Sequence, residues 1–201
     1  FEGDRVDLPL SANTISKLRD FCASNGVSVN MAMLAVFKVL LAKYSGQTDI
    51  LVGTPVANRS KQAFESIIGL LVNNLVLRSD VSGDKTFSEL LSHVRGEVLD
   101  ANEHADVPFE KVVQAVNPER DRSQSPLFQV MMVFMNAPQA NNKSESGTSV
   151  TMKPREVHNR ISEFDMSLYA YEEGSQKQNS DNSLSGWIEF NTALFNRSRI
   201  E

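Results

Sequence analysis

Apolar and polar residues follow two rhythms along this chain, and the switches between them divide it into elements. Val6, Leu8 and Leu10 alternate with polar or turn residues, which predicts a short strand. From Ser11 the period lengthens. Ile15, Leu18, Phe21 and Cys22 share one face of a helix that Gly26 ends. A second helix starts after Ser28 and runs from Val29 to Tyr44, apolar almost all round, so it is expected to be central and buried on most sides. Gly46 closes it. Ile50, Leu51 and Val52 begin a buried strand that Gly53-Thr54-Pro55 is expected to break. Apolar residues return from Ile67 to Leu77, interrupted by Asn73 and Asn74, and Val76 to Asp80 reads as an exposed-edge strand.

Thr86-Phe87-Ser88-Glu89 is a capping box. It predicts a helix to about Glu103, with Leu90, Leu91, Val94, Val98 and Leu99 as its apolar stripe. The stretch from His104 to Gln129 then reads as turn, short helix, turn, strand. Pro108 suits a first helical turn, and Asp106 is placed to cap free N–H groups there. Phe109, Val112, Val113 and Val116 share a face, and Asn117-Pro118 stops the helix. A polar run from Arg120 to Ser125 leads through Pro126 into an apolar strand, Leu127 to Phe134. Residues 137–149 read as a surface loop, 150–158 as a strand and 172–183 as a second polar loop. Phe164, Met166, Leu168 and Ala170 alternate with polar neighbours, and a last strand from Leu184 to Phe190 carries Trp187. The order predicts an α/β fold, a mixed sheet with helices packed on one face. The polar loops are not domain linkers, because the strands between them cannot bury their faces alone.

Composition narrows the function. The 201 residues allow one or at most two domains. A net charge of −5 gives no electrostatic case for nucleic acid or an anionic membrane. The longest apolar run, near 31–41, is broken by Lys38 and too short to span a bilayer. Cys22 is the one cysteine, on an apolar stripe, and reads as a packed core thiol; that fits a reducing compartment, and the cytoplasm is the expected location. No secretory pattern is visible, so the Asn-x-Ser triplets at 58, 142 and 196 are discounted. The chain begins in mid-phrase without methionine and is expected to be a piece of something longer. One cysteine and the scattered His93, His104 and His158 give no metal-ligand spacing. There is no glycine-rich phosphate loop and no nucleophile elbow.

Three places remain as candidates. Asn58-Arg59 at a strand end either faces a channel or forms a solvated turn. Asn73 either starts a strand or lines a cavity, since a buried amide must have its hydrogen bonds met. His104, past a helix end, either meets free carbonyls or belongs to a site.

Four ordered blocks carry a resemblance beyond this. Leu34 to Gly46 followed by Asp49-Ile50-Leu51-Val52-Gly53-Thr54-Pro55-Val56-Ala57-Asn58-Arg59 is the first. Ile68-Gly69-Leu70-Leu71-Val72-Asn73-Asn74 is the second, and His104 to Glu110 the third. The fourth is Arg120 to Leu127, continued by Phe128-Gln129-Val130. Phe164-Asp165-Met166 and Ile188-Glu189-Phe190-Asn191 match closing strands. In order and spacing the chain resembles the C-terminal lobe of a condensation domain from a non-ribosomal peptide synthetase, over 1–201. The resemblance implies one lobe of a chloramphenicol acetyltransferase-like fold, without the N-terminal lobe or the final helix. It implies amide-bond formation between carrier-bound aminoacyl or peptidyl thioesters in antibiotic biosynthesis. It implies no directly bound cofactor, only the phosphopantetheine arms of carrier domains as substrates. Implied partners are the N-terminal lobe, peptidyl carrier domains and an adjacent adenylation domain, with no nucleic acid and no membrane.

The family's His-His-x-x-x-Asp-Gly motif belongs to the other lobe, and no His-His pair occurs here, so no catalytic residue is assigned and the fragment alone is expected to be inactive. By resemblance Asn73, Asn58, Arg59 and His104 are substrate-tunnel candidates. Asp106, Pro108, Phe109, Arg120, Asp121, Ser123, Pro126 and Asp165 are expected to be architectural. Ala105 replaces the family's usual glutamine, Asn74 its threonine and Leu71 an aromatic. Two other functions compete: a non-catalytic partner-recruiting module of this fold, and an epimerisation domain, against which the fourth block and the lack of a Gly-Tyr-Gly segment speak.

Overall fold

The computed structural model describes residues 1–59, 62–83, 85–118, 124–135, 158–173 and 183–201. The elements follow in the order β1 (Gly3–Asp7), α1 (Ala12–Asn25), α2 (Val29–Ser45), β2 (Asp49–Val56), α3 (Gln62–Glu65), β3 (Asn73–Asp80) and α4 (Phe87–Glu103). After them come α5 (Phe109–Val116), β4 (Val130–Met135), β5 (Met166–Glu173), β6 (Ser183–Asn191) and α6 (Arg197–Ile200). Their ends lie where the caps are written. Ser11 accepts from the Thr14 N–H at 3.1 Å and Ser28 from the Met31 N–H at 3.2 Å. Gly26 and Gly46 close α1 and α2 with φ of 62° and 70°. Thr86 and Glu89 satisfy each other's backbone N–H groups at the head of α4. Asn117 ends α5 in the left-handed region, φ 46°.

The strands form one mixed sheet in the order β1-β6-β5-β4-β2-β3. β2 pairs parallel with β4, and β4 parallel with β5; the other pairs are antiparallel. α1, α2 and α4 lie against β6, β2 and β3 respectively. The core sits between them and one sheet face, where Val52, Leu77, Met132, Leu168 and Ile188 meet Leu34, Phe37, Leu91 and Val94. Burying two apolar layers against each other is what makes this architecture stable. Cys22 belongs to the core, and burial pushes its thiol pKa up, as expected for a packed rather than reactive cysteine. On the other face Tyr169 stacks on Trp187 at 4.9 Å, with the Arg5 guanidinium 5.3 Å from the indole. Among the described residues no single helix is long and apolar enough to cross a membrane.

Several expectations need correction. β2 does not break at Gly53-Thr54-Pro55: Thr54 and Pro55 pair with Leu75 and Asn74. Pro55 lies where β2 is paired on one side only, a position that tolerates a missing N–H. β1 starts earlier than Val6 and ends at Asp7. β4 begins at Val130 because Phe128 turns in against Gly53, where a Cβ would collide with its ring. β5 runs on to Glu173 and β6 starts at Ser183, which shortens the second polar loop. Residues 137–149 and 150–157, expected as loop and strand, lie outside the described residues, as do 174–182 of the second loop. α2 is buried on most sides, as expected, with one outward stripe. Val36, Leu40 and Tyr44, spaced by four, face outward, while Lys38 is the residue turned in, at 0 % exposure.

Lys38 is tolerated there because it is fully matched. Its Nζ donates to Ser79 Oγ at 2.7 Å and to the two Glu97 carboxylate oxygens at 2.9 and 3.0 Å. Ser79 in turn donates to Glu97 at 2.5 Å. Burial holds the ammonium pKa below the usual lysine value, against the opposing pull of Glu97. The cluster joins α2, β3 and α4. Glu97→Ala should therefore destabilise the protein by about 3 kcal/mol or more, since it strands a buried charge. Lys38→Met, Ser79→Ala and Glu97→Leu combined should recover most of that loss. Urea unfolding of the parent protein decides: a neutral Glu97→Ala would show that the cluster holds nothing.

Candidate functional site

β2 and β4 touch in parallel register at one position, Gly53 opposite Met131. Beyond it the chain leaves in opposite directions, from β2 to β3 on one side and from β4 to β5 on the other. In an open α/β sheet such a switch leaves a crevice at the carboxyl ends of the strands. A cavity of about 690 Å³ opens there. Thr54 and Val56 of β2 and Met132 and Phe134 of β4 form its walls, and Leu34, Leu77 and Val98 its floor. Besides Thr54, its polar lining is Ser28 and Asn30 at the start of α2, Asn102 near the end of α4, and Glu172. Glu172 is paired with Arg19 at 3.2 Å.

The sequence candidates gather at this end of the sheet, because Val56 pairs with Asn73. Asn58 turns the chain with φ 50°. The Arg59 guanidinium donates to three carbonyls, Phe64 at 2.5 Å, Ile67 at 2.8 Å and Gly69 at 3.1 Å, and so ties down the loop between β2 and β3. That loop presents Ile68 and Leu70 to solvent, with Val72 half exposed at the crevice edge. His104 caps α4, and since a carbonyl can only accept, its Nδ1–H donates to Asp100 O at 2.9 Å.

Asn73 has the most connected side chain of the group. Its Nδ2 donates to Ala105 O at 2.9 Å and Val107 O at 2.7 Å, and its Oδ1 accepts from the Phe109 N–H at 3.0 Å. The head of α5 is thus capped by Asn73 from β3 and not, as expected, by Asp106, which is exposed. Pro108 precedes the helix with φ −59°. Phe109 continues the same construction: its ring lies 5.7 Å from Phe128, which lies 5.4 Å from Phe164. The half-buried Asp165 donates its N–H to Gln129 O at 2.9 Å and accepts from the Asn191 N–H at 3.0 Å, and burial raises its carboxyl pKa. Pro126 is exposed, and Arg120, Asp121 and Ser123 lie outside the described residues. Sequence reasoning missed the Lys38 cluster and the crevice. A lone lysine inside an otherwise apolar helix was the available signal for the first. Among the described residues no three His, Cys, Asp or Glu side chains gather to hold a metal.

The family model described as "Condensation domain" matches residues 1–201. A linear gramicidin synthase of Brevibacillus parabrevis is 42 % identical over 200 residues, covering 100 % of this chain and 4 % of that protein. Surfactin synthase subunit 1 of Bacillus subtilis (strain 168) is 38 % identical over 201 residues, covering 100 % and 5 %. The chain therefore spans a small part of these relatives. Among solved structures, a four-domain nonribosomal peptide synthetase, holo-AB3403 bound to AMP and glycine, superposes with a TM-score of 0.84 at 23 % identity. The match covers 98 % of this chain and 15 % of that one. The X-domain in complex with OxyB from teicoplanin biosynthesis gives 0.80 at 25 % identity, covering 98 % and 42 %.

Asn73→Asp should be as harmful as Asn73→Ala or worse, although it keeps size. A carboxylate can still accept from Phe109 but sets acceptors against two carbonyls. The expected loss is about 2 kcal/mol or more, with faster hydrogen exchange at the first amides of α5 in the parent protein. Unchanged exchange in Asn73→Asp would show that the amide does not hold that helix.

Proposed function

The chain belongs to the condensation-domain family, and on that premise we propose that it is the C-terminal lobe of an amide-forming condensation domain in a non-ribosomal peptide synthetase. The observation that carries this reading is the family match over all of 1–201, joined to peptide-synthetase relatives that align along the whole chain. The N-terminal lobe of the same domain would supply the His-His-x-x-x-Asp-Gly motif, since the histidines here stand singly at 93, 104 and 158. Taken alone the lobe would then be inactive. No cofactor of its own is invoked. Substrates would arrive as thioesters on the phosphopantetheine arms of carrier domains, with an adenylation domain as neighbour.

The reaction is thioester aminolysis. The acceptor amine attacks the donor carbonyl, a C–N bond forms, the C–S bond breaks, and the thiol leaves on the donor arm with the displaced proton. This lobe contributes shape: Arg59 and Asn73 fix the loops around the crevice, and fixed walls hold two tethered reactants at attack distance. Asn73 acts here as a positioning residue, because both of its N–H groups and its oxygen are committed to backbone. A second reading has one observation in its favour. The X-domain, similar in fold, is seen bound to OxyB, so a lobe of this shape could serve recruitment instead.

The test uses the parent synthetase with donor and acceptor carriers loaded, following dipeptidyl thioester by intact-protein mass spectrometry. The parent should form product, and Asn73→Ala should slow it by about tenfold as the reactants lose alignment. No product across varied substrates, with loading verified, would replace the amide-forming reading by recruitment.

A further inference from the structure

We propose that the crevice between β2 and β4 is a substituent pocket for the carrier-bound substrate: it takes a neutral apolar group, branched aliphatic or aromatic, and rejects a charged one. That the group arrives on a reacting thioester rests on the amide-forming reading above. The crevice exists because the two parallel strands are in register only at Gly53 and Met131 and then diverge. Its volume of about 690 Å³ lies within the range of sites that enclose small organic groups.

The lining sets the chemistry. The side chains reaching deepest, Leu34, Leu77, Val98 and Met132, are apolar and buried. Among the described residues the one charged lining group is Glu172, which is exposed and already paired with Arg19. A carboxylate or ammonium entering the pocket would lose its hydration and find no free counter-charge. The floor is also held open. Lys38 lies one helical turn past Leu34, Ser79 is the next residue on the same strand face after Leu77, and Glu97 adjoins Val98. The ionic cluster therefore clamps α2, β3 and α4 directly beneath the cavity and keeps them from closing into it. Thr54, half-buried on the β2 wall opposite Leu75, is the position at which size is set.

The experiment offers the parent synthetase a competing mixture of carriers loaded with alanine, leucine, phenylalanine and aspartate, first on the donor and then on the acceptor side. On one side leucine and phenylalanine should outrun aspartate by about tenfold or more. Thr54→Trp, which narrows the cavity at its β2 wall, should reduce the advantage of the large apolar groups over alanine. Val72→Trp, at an exposed rim position that cannot unfold the core, should shift the ratios the same way. Product ratios unmoved in Val72→Trp and in any folded Thr54→Trp, with amide still formed, overturn the pocket and leave the amide-forming reading intact. If the parent forms no amide, that reading fails, and the pocket is judged by titrating the same proteins with leucyl- and aspartyl-pantetheine amides. Binding of the leucyl amide that Val72→Trp weakens upholds it; no binding, or no preference over aspartyl, overturns it.

Discussion

A lysine at 0 % exposure constrains how this fold can be assembled. Taking an ammonium out of water costs several kcal/mol, and only excellent geometry offsets it. Here the partners come from two further elements, Ser79 on β3 and Glu97 on α4. Apolar packing alone would let α2 slip by a turn and find other methyl groups. The charge forbids it, since any slip leaves Lys38 without Glu97. The register of the three elements is thereby fixed, and the start of α2 and the end of α4 arrive at the same end of the sheet, beside the divergence of β2 and β4.

What was legible in the sequence was local. Ser11, Ser28 and Thr86 with Glu89, and the glycines at 26 and 46, mark helix ends within a few residues of themselves, and the helices begin and stop there. The alternation from Met166 onward likewise needs no partner to be read as a strand. What was not legible joins distant residues. Lys38 finds partners 41 and 59 positions away, and Asn73 caps a helix 36 positions downstream. Asp106 looked like the cap because it is near in sequence; tertiary structure offered an amide with both donors and an acceptor in place. Gly53-Thr54-Pro55 looked like a break because its composition is that of a turn, yet pairing with β3 carries the strand through. The crevice depends on strand order, which periodicity does not encode.

The resemblance gathered Asn58, Arg59, Asn73 and His104 as one group, and they do lie at one end of the fold. Three of these side chains, however, are engaged with backbone. Arg59 holds three carbonyls, Asn73 two carbonyls and an amide, and His104 one carbonyl. Each such bond satisfies a backbone group in a loop or at a helix end and so fixes the path of the chain there. Committed in this way, Arg59 and Asn73 hold the backbone around the crevice in place.

The crevice beside these residues is built differently. Among the described residues the crevice is lined mainly by Leu, Val, Met, Phe and Pro side chains, with Ser28, Asn30, Thr54, Asn102 and Glu172 as its polar members. Its walls supply a fixed, largely apolar surface at a strand-end switch point, which can exclude water and hold a group still. Orientation of this kind is worth several kcal/mol to a reaction between two tethered partners. On the amide-forming reading, the precision of the walls, hence the Lys38 clamp and the Asn73 cap behind them, is what this chain contributes.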